Sequence, residues 1–269
     1  MKKLTRVSGF FAFLYLCFIP VIANATPYKL YAPMFVFDED KGMSTCVILE
    51  NKGETRASYA LNYYGKDGKL IKTIDGLTLN SIDTVTRMVA KDLGLKGGKA
   101  QGSVEVCIKS GAVTGKAALI YNREKKDPCY FPLQRNSRTS LFCRCFNEVE
   151  VDGDGVLEEP GEVKTEVVLM NPNPARAKYS YVMYDDGKNK LVEGSGMVPG
   201  HGSIVFSPRA ALKYGADANF KTKGSVVFEV SEGSLLGHYS LFNTEDMFVE
   251  VLKDKATQQV RAENGRASL

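Results

Sequence analysis

Between Ala57 and Tyr64 the chain reads ASYALNYY, with Tyr59, Leu61 and Tyr63 on one side of an extended backbone and Ser58, Ala60 and Asn62 on the other. That two-residue period marks a strand with one buried face. Runs of the same character fall near 31–37, 44–50, 57–64, 69–75, 82–88, 102–109 and 115–121, parted by turn residues. Asn51 to Gly53, Gly65 to Gly68 and Gly97 with Gly98 are expected to reverse the chain through positive φ, as is Asn171 with Pro172 further on. Helix is minor: RMVAKDLG and PRAALKYG predict a turn or two each.

The pattern then repeats. TCVILENKGETRASYALNYYGKDGKL from Thr45 aligns with TEVVLMNPNPARAKYSYVMYDDGKNKL from Thr165, pairing Leu49 with Leu169, Asn51 with Asn171, Arg56 with Arg176, Tyr59 with Tyr179 and Tyr64 with Tyr184. GSVEVCIKSG from Gly102 matches GSVVFEVSEG from Gly224, and LIYN ending at Asn122 matches SLFN ending at Asn243. Copies in step over roughly 90 residues imply a tandem duplication. Seven short alternating strands in about 100 residues is the pattern of an immunoglobulin-like sandwich. The expected fold is therefore all-β, with two tandem immunoglobulin-like β-sandwich domains over 26–122 and 145–252. A cysteine-bearing connector over 123–144 joins them, and a polar tail follows over 253–269.

Ahead of the first copy, Lys2, Lys3 and Arg6 precede an apolar run from Gly9 to Ile22 and then Ala23, Asn24 and Ala25. This is the layout of a secretory signal peptide over 1–25, and the run is short for a membrane span. Leu16 stands before Cys17 where a lipid-attachment motif wants a small residue, so no lipid anchor is expected. The expected location is periplasmic, cell-surface or secreted, with no transmembrane segment in the mature chain. Cleavage takes three positive charges from a formal +4 and leaves a nearly neutral protein. No basic field and no recognisable motif point to nucleic acid.

VDGDGVLEEPGE, beginning at Val151, crowds five carboxylates and three glycines into one loop. Glu150, Asp152, Asp154 and Gly155 match the first, third, fifth and sixth positions of a calcium loop, but Gly161 stands where the bidentate Glu belongs. Asp152, Asp154, Glu158 and Glu162, with the Val156 carbonyl, form a candidate set of calcium ligands; the alternative is a solvated acidic turn. The string from Asp152 running into VKTEVVLMN resembles the opening of bacterial secreted and cell-surface immunoglobulin-like domains, where D-G-x-x-x-P-G-E precedes a V-x-x-x-N strand. The resemblance implies a turn between the first two strands of the second domain, often holding structural calcium. The first copy has only DEDKGMS at that place.

Five cysteines remain after cleavage: Cys46, Cys107, Cys129, Cys143 and Cys145. Cys46 and Cys107 fall on the second and sixth strands, which immunoglobulin domains bridge. Yet Glu166 and Glu229 stand at the matching positions, which points both outward on opposite sheets, while Val47, Leu49, Val104 and Val106 face in. Cys129 closed onto Cys143 or Cys145 would clamp a loop of about 15 residues, worth about 3 kcal/mol. Zinc is disfavoured by the C-x-C spacing without nearby histidine, and the C-x-x-C redox motif is absent.

The connector also carries Arg123, Lys125, Lys126, Arg135, Arg138 and Arg144, read as a patch for an anionic surface or as an ordinary solvated segment. Tyr63, Tyr64, Tyr181 and Tyr184 are candidates for carbohydrate stacking, with core or cross-strand packing as the alternative. His201 and His238 belong to no catalytic motif, so no enzyme is expected. The expected function is an exported, non-enzymatic structural or protein-interaction module of the bacterial envelope or extracellular matrix. Its partner would be an envelope or extracellular protein engaged at a sheet edge. The rivals are a polysaccharide-binding or adhesive module and a two-domain periplasmic chaperone.

Overall fold

The computed structural model describes residues 26–121, 127–149, 163–212, 221–243 and 247–254. The expected signal segment, the acidic loop with its calcium candidates at 152–162, and the tail over 255–269 lie outside the described residues.

The described chain is mostly antiparallel strand, with almost no helix. The elements run β1 (Tyr28–Asp38), β2 (Met43–Asn51), β3 (Ala57–Gly65), β4 (Leu70–Leu79), β5 (Thr84–Met88), α1 (Val89–Leu93), β6 (Lys99–Ser110), β7 (Val113–Tyr121) and β8 (Cys129–Pro132). They continue as β9 (Ser140–Val149), β10 (Val163–Met170), β11 (Ala177–Asp185), β12 (Lys190–Val198), β13 (Ser203–Phe206), α2 (Pro208–Ala211), β14 (Lys221–Glu232), β15 (Leu236–Asn243) and β16 (Met247–Val251). The expected strands of the first copy are β1 to β7, and the short helices stand where RMVAKDLG and PRAALKYG placed them. The connector over 123–144 differs from expectation. Its described part holds β8, which extends the first sheet beyond β7, and the start of β9.

The first sheet has the order β4-β3-β6-β1-β2-β7-β8 with β5 also on β2; the second has β12-β11-β14-β9-β10-β15-β16 with β13 also on β10. Each position in one order corresponds to the element eight strands later in the other. Within the first sheet, β1 pairs with β6 from Tyr28 to Asp38 but meets β2 only at Phe37–Ser44 and Asp38–Met43. The sheet therefore folds over at that hairpin. Leu30 and Phe35 of β1, Leu61 of β3 and Val106 of β6 share one core with Val47 of β2 and Ala117 of β7. The second sheet does the same around Phe146, Val167, Leu169 and Phe228.

Leaving β2 exposes one edge of β1, whose backbone groups need partners. Thr45 supplies them with a side chain: its Oγ1 accepts from Val36 N at 2.9 Å and donates to Val36 O at 3.1 Å. Thr165 treats Asn147 of β9 identically, at 2.8 and 3.0 Å.

Asn51 corrects another expectation. Neither it nor Gly53 adopts positive φ, and of the predicted turn glycines only Gly68 and Gly98 do. Asn51 is buried instead, and its Nδ2 donates to the carbonyls of Thr55, Leu79 and Asn80 while Oδ1 accepts from Gly53 N. Its amide closes the turn that backbone geometry was expected to close. Asn171 makes the same kind of knot with Ala175, Val198 and Asn173.

The cores differ at one place. In the first, Arg87 donates to both carboxylate oxygens of buried Asp92, at 3.0 and 2.5 Å, and Tyr63 Oη donates to Asp92 at 2.6 Å. In the second, Phe206 faces Val167 as Arg87 faces Val47, and it packs against Tyr181 and Phe228 with ring centres 4.7 and 5.2 Å away. Met183 pairs with Val226 as Tyr63 pairs with Val104, and Ala211 follows Phe206 by the interval that separates Asp92 from Arg87. One unit thus buries a bonded ion pair where the other buries hydrocarbon. Asp92→Ala should cost about 3 kcal/mol in urea unfolding, because it strands the guanidinium. Installing the second unit's set, Tyr63→Met with Arg87→Phe and Asp92→Ala, should recover most of that loss. A triple variant no more stable than the single one would refute the equivalence.

Candidate functional site

Among the described residues the two units meet at two separate places. At the first, Gln134, between β8 and β9, exchanges backbone hydrogen bonds with Tyr31 of β1 at 2.8 and 2.9 Å. Its side-chain amide donates to Gly237 O at 3.0 Å and accepts from Gly237 N at 3.1 Å. One residue therefore joins the open edge of β1 to β15. Tyr31, Met170 and Leu236 are buried together alongside it, and Phe131 of β8 stacks on His238 of β15 at 4.9 Å.

At the second place the turn after β12 meets the β3–β4 turn. His201, at φ 56°, stacks on Tyr64 with ring centres 4.7 Å apart. Ser103 Oγ donates to His201 O at 2.9 Å, and Ser203 N to Lys66 O at 3.3 Å. Gly68 has φ 80°, and a Cβ there would lie 1.8 Å from Gly200 O, so both the turn and the close approach require glycine.

Beside the first contact lies a cavity of about 320 Å³. β1 makes room for it: a bulge interrupts its register between Ala32 and Phe35, and it has parted from β2. Met34, Val36, Leu119 and Phe131 of the first unit face Phe242 and Val249 of the second across the space. Asp38, Lys41, Lys164 and Glu166 also border it. His238 lines it, 1% exposed, with no hydrogen-bond partner for Nδ1. Burial pushes its pKa down to about 4, which keeps the ring neutral at pH 7.

Glu148 of β9 is a second buried group with an unanswered atom: Oε1 accepts from Thr165 N at 3.0 Å, and Oε2 has no partner. Burial pushes its pKa up to about 7, against the Thr165 hydrogen bond and the charges of Arg209 and Lys164.

Several candidates from the sequence lie elsewhere. Tyr63 is in the first core, Tyr181 packs against Phe206, Tyr64 is covered by His201, and Tyr184 is half-buried on β11. They form no open stacking strip. No disulfide joins the five cysteines. Cys46 on β2 and Cys107 on β6 both lie outside the shared core, but Cys46 is buried and Cys107 half-buried, so neither is the open outward position that the matching glutamates suggested. Cys107 donates to Glu105, and burial together with that carboxylate pushes the thiol up to about 12. Cys129 pairs with Leu119 in the first sheet, whereas Cys143 is in the core of the second and Cys145 is half-buried on the same strand. The expected clamp across the connector is thus not made, because its ends belong to different sheets.

Of the connector's cations, Arg135 lies over the Tyr28 ring at 4.3 Å and Arg138 is 3.8 Å from Asp254. Arg123, Lys125 and Lys126 lie outside the described residues. Among the described residues no group of three His, Cys, Asp or Glu side chains is placed to hold a metal, and no helix is long and apolar enough to cross a membrane. Alternation alone misses Gln134 and His238. The signal that bears on the junction is the unbroken apolar run VVLM at 167–170, all of it buried, which requires cover on both faces.

No protein-family model matches the chain, and no curated protein is similar to it. Among solved structures, a "putative beta-galactosidase" from Bacteroides fragilis aligns over 83% of this chain and 32% of its own, at 12% identity and a TM-score of 0.19. A glycosyl hydrolase family 2 member from Bacteroides cellulosilyticus aligns over 84% and 27%, at 10% identity and a TM-score of 0.18. The chain spans under a third of either structure, and likenesses this slight carry no inference about its activity.

The two buried groups oppose each other in pH dependence. His238 binds its proton more weakly folded than unfolded, so its contribution is full above pH 6.5 and is lost as pH falls toward 4. Glu148 binds its proton more tightly folded, so its contribution is full below pH 4.5 and is lost as pH rises toward 7. Between pH 4.5 and 6.5 the pair should nearly cancel. Across that window, His238→Phe should make stability fall with rising pH by about 3 kcal/mol, and Glu148→Gln should make it rise by a similar amount. Urea midpoints measured across this range check both slopes, and parallel profiles for the two variants would contradict the assignment.

Proposed function

We propose that the chain is an exported, non-enzymatic structural or protein-interaction module of the bacterial envelope or extracellular matrix. In this reading its two units are immunoglobulin-like β-sandwich domains that arose by duplication. Support for the duplication comes from the matching strand orders and from the paired devices at Thr45 and Thr165 and at Asn51 and Asn171. The observation that carries the scaffold reading is the double docking of the units. At these places Gln134 binds Gly237, and the rings of His201 and His238 each stack on an aromatic ring, with Nδ1 of each histidine left without a hydrogen-bond partner. The serine that does bond a histidine here, Ser103, donates to the backbone carbonyl of His201 and not to a ring nitrogen.

Binding surfaces in this reading are the outer edges of β4 and β12, which end their sheets. Leu70, Ile71, Leu191 and Met197 are exposed on them, and an added strand would satisfy their unpaired backbone groups. Calcium held by Asp152, Asp154, Val156, Glu158 and Glu162 would stiffen the link between β9 and β10.

Cell fractionation with N-terminal sequencing should find the protein exported and beginning at Thr26, and affinity capture of that form should return an envelope or extracellular protein. Retention on polysaccharide that Tyr184→Ala abolishes would favour the adhesive rival. Turnover in a hydrolase screen, lost with His201→Ala or His238→Ala, would overturn the non-enzymatic reading. For calcium, the melting temperature should rise by several degrees in roughly millimolar calcium, and Asp154→Ala should abolish the rise. Identical melting with calcium and with chelator would remove the metal from the account.

A further inference from the structure

We propose that the cavity at the junction binds a small, uncharged, largely apolar molecule that carries one hydroxyl group. Its volume of about 320 Å³ falls at the lower end of the range for small-molecule sites. Met34, Val36, Leu119, Phe131, Phe242 and Val249 give it apolar walls drawn from both units. Such walls select hydrocarbon through the area they remove from water.

The polar requirement comes from His238. Its ring is held by the stack on Phe131, and Nδ1 is buried without a partner. An unanswered buried nitrogen is costly, and a ligand group that answers it recovers that cost. A neutral imidazole nitrogen donates or accepts according to its tautomer, and a hydroxyl does both, so a hydroxyl fits either tautomer. Charge is selected against. The ring is neutral at pH 7, and Asp38 and Glu166 balance Lys41 and Lys164 around the space. A carboxylate or an amine would enter an apolar space with no net countercharge.

This inference stands apart from the export and partner reading, since it depends only on residues at the junction.

The test titrates the full chain with 2-naphthol, naphthalene and 2-naphthoate, followed by calorimetry or probe fluorescence. Saturable binding of 2-naphthol at one site is expected, about tenfold tighter than naphthalene, the worth of one hydrogen bond, with 2-naphthoate weaker than both. His238→Phe, which keeps an aromatic ring against Phe131, should bring 2-naphthol and naphthalene within about twofold of each other. Met34→Trp should fill the space and abolish binding of both. Leu119→Phe is a second cavity-filling variant, and circular dichroism establishes that each variant is folded. The proposal is overturned if wild type shows no saturable binding, if hydroxyl and hydrocarbon bind it equally, or if folded cavity-filling variants bind as wild type does. None of these outcomes bears on export or on a protein partner, so the two readings fail separately.

Discussion

Strand β1 could pair with a neighbour on each edge, but it gives almost its whole length to β6 and only its last two residues to β2. The rest of the molecule follows from what becomes of the second edge. Because the strand leaves β2, the sheet can fold over and enclose a core. Because backbone groups inside a protein need partners, the abandoned edge must then be satisfied piecemeal. Thr45 answers Val36 with a hydroxyl, and Gln134 answers Tyr31 with its own backbone. The second unit repeats both solutions, with Thr165 at Asn147 and Lys253 at Phe142. Gln134 has a further consequence. A residue that must lie against β1 brings the start of the second unit with it, and its side chain then reaches Gly237.

Alternation located the strands of the first copy because one face of each is buried in a core, and side-chain parity reports that face directly. It placed Tyr59, Leu61 and Tyr63 together, and all three are in the first core. It could not say what Tyr63 meets there. Asp92 comes from α1, far along the chain, and a polar residue in a short helix gives no sign that it is buried. The repeat singled out Thr45, Thr165, Asn51 and Asn171 for a similar reason. Their identity was legible, but their work was not, because each bonds backbone atoms that become neighbours only after folding.

The junction was the least legible part. β8 has only four residues and ends on a proline, too little for a periodic signal, so the segment reads as a connector. On β15 the positions at issue, His238, Ser240 and Phe242, fall on the face that alternation assigns to solvent. That assignment holds only when nothing packs against the face. Here the first unit does, which turns outward positions into walls of a cavity and leaves His238 almost wholly buried. The cysteines misled for a related reason. Their separation along the connector suggested a loop to be clamped, while β8 and β9 carry them into different sheets.

Two well-separated contacts constrain the units more than either would alone. Rotation about the Gln134–Gly237 link would break the stack of His201 on Tyr64, and rotation about that stack would pull Phe131 from His238. Hinge motion is therefore opposed at both ends, and the cavity between the units has walls set by the docking itself. A space whose walls are set by docking, with the His238 ring held on Phe131, needs less reorganisation around what enters it, and the ordering cost of binding falls accordingly. The charged residues that border the space belong to both units, Asp38 and Lys41 to the first and Lys164 and Glu166 to the second. Neither unit alone would present the whole site, so docking that looks purely architectural is also what assembles it.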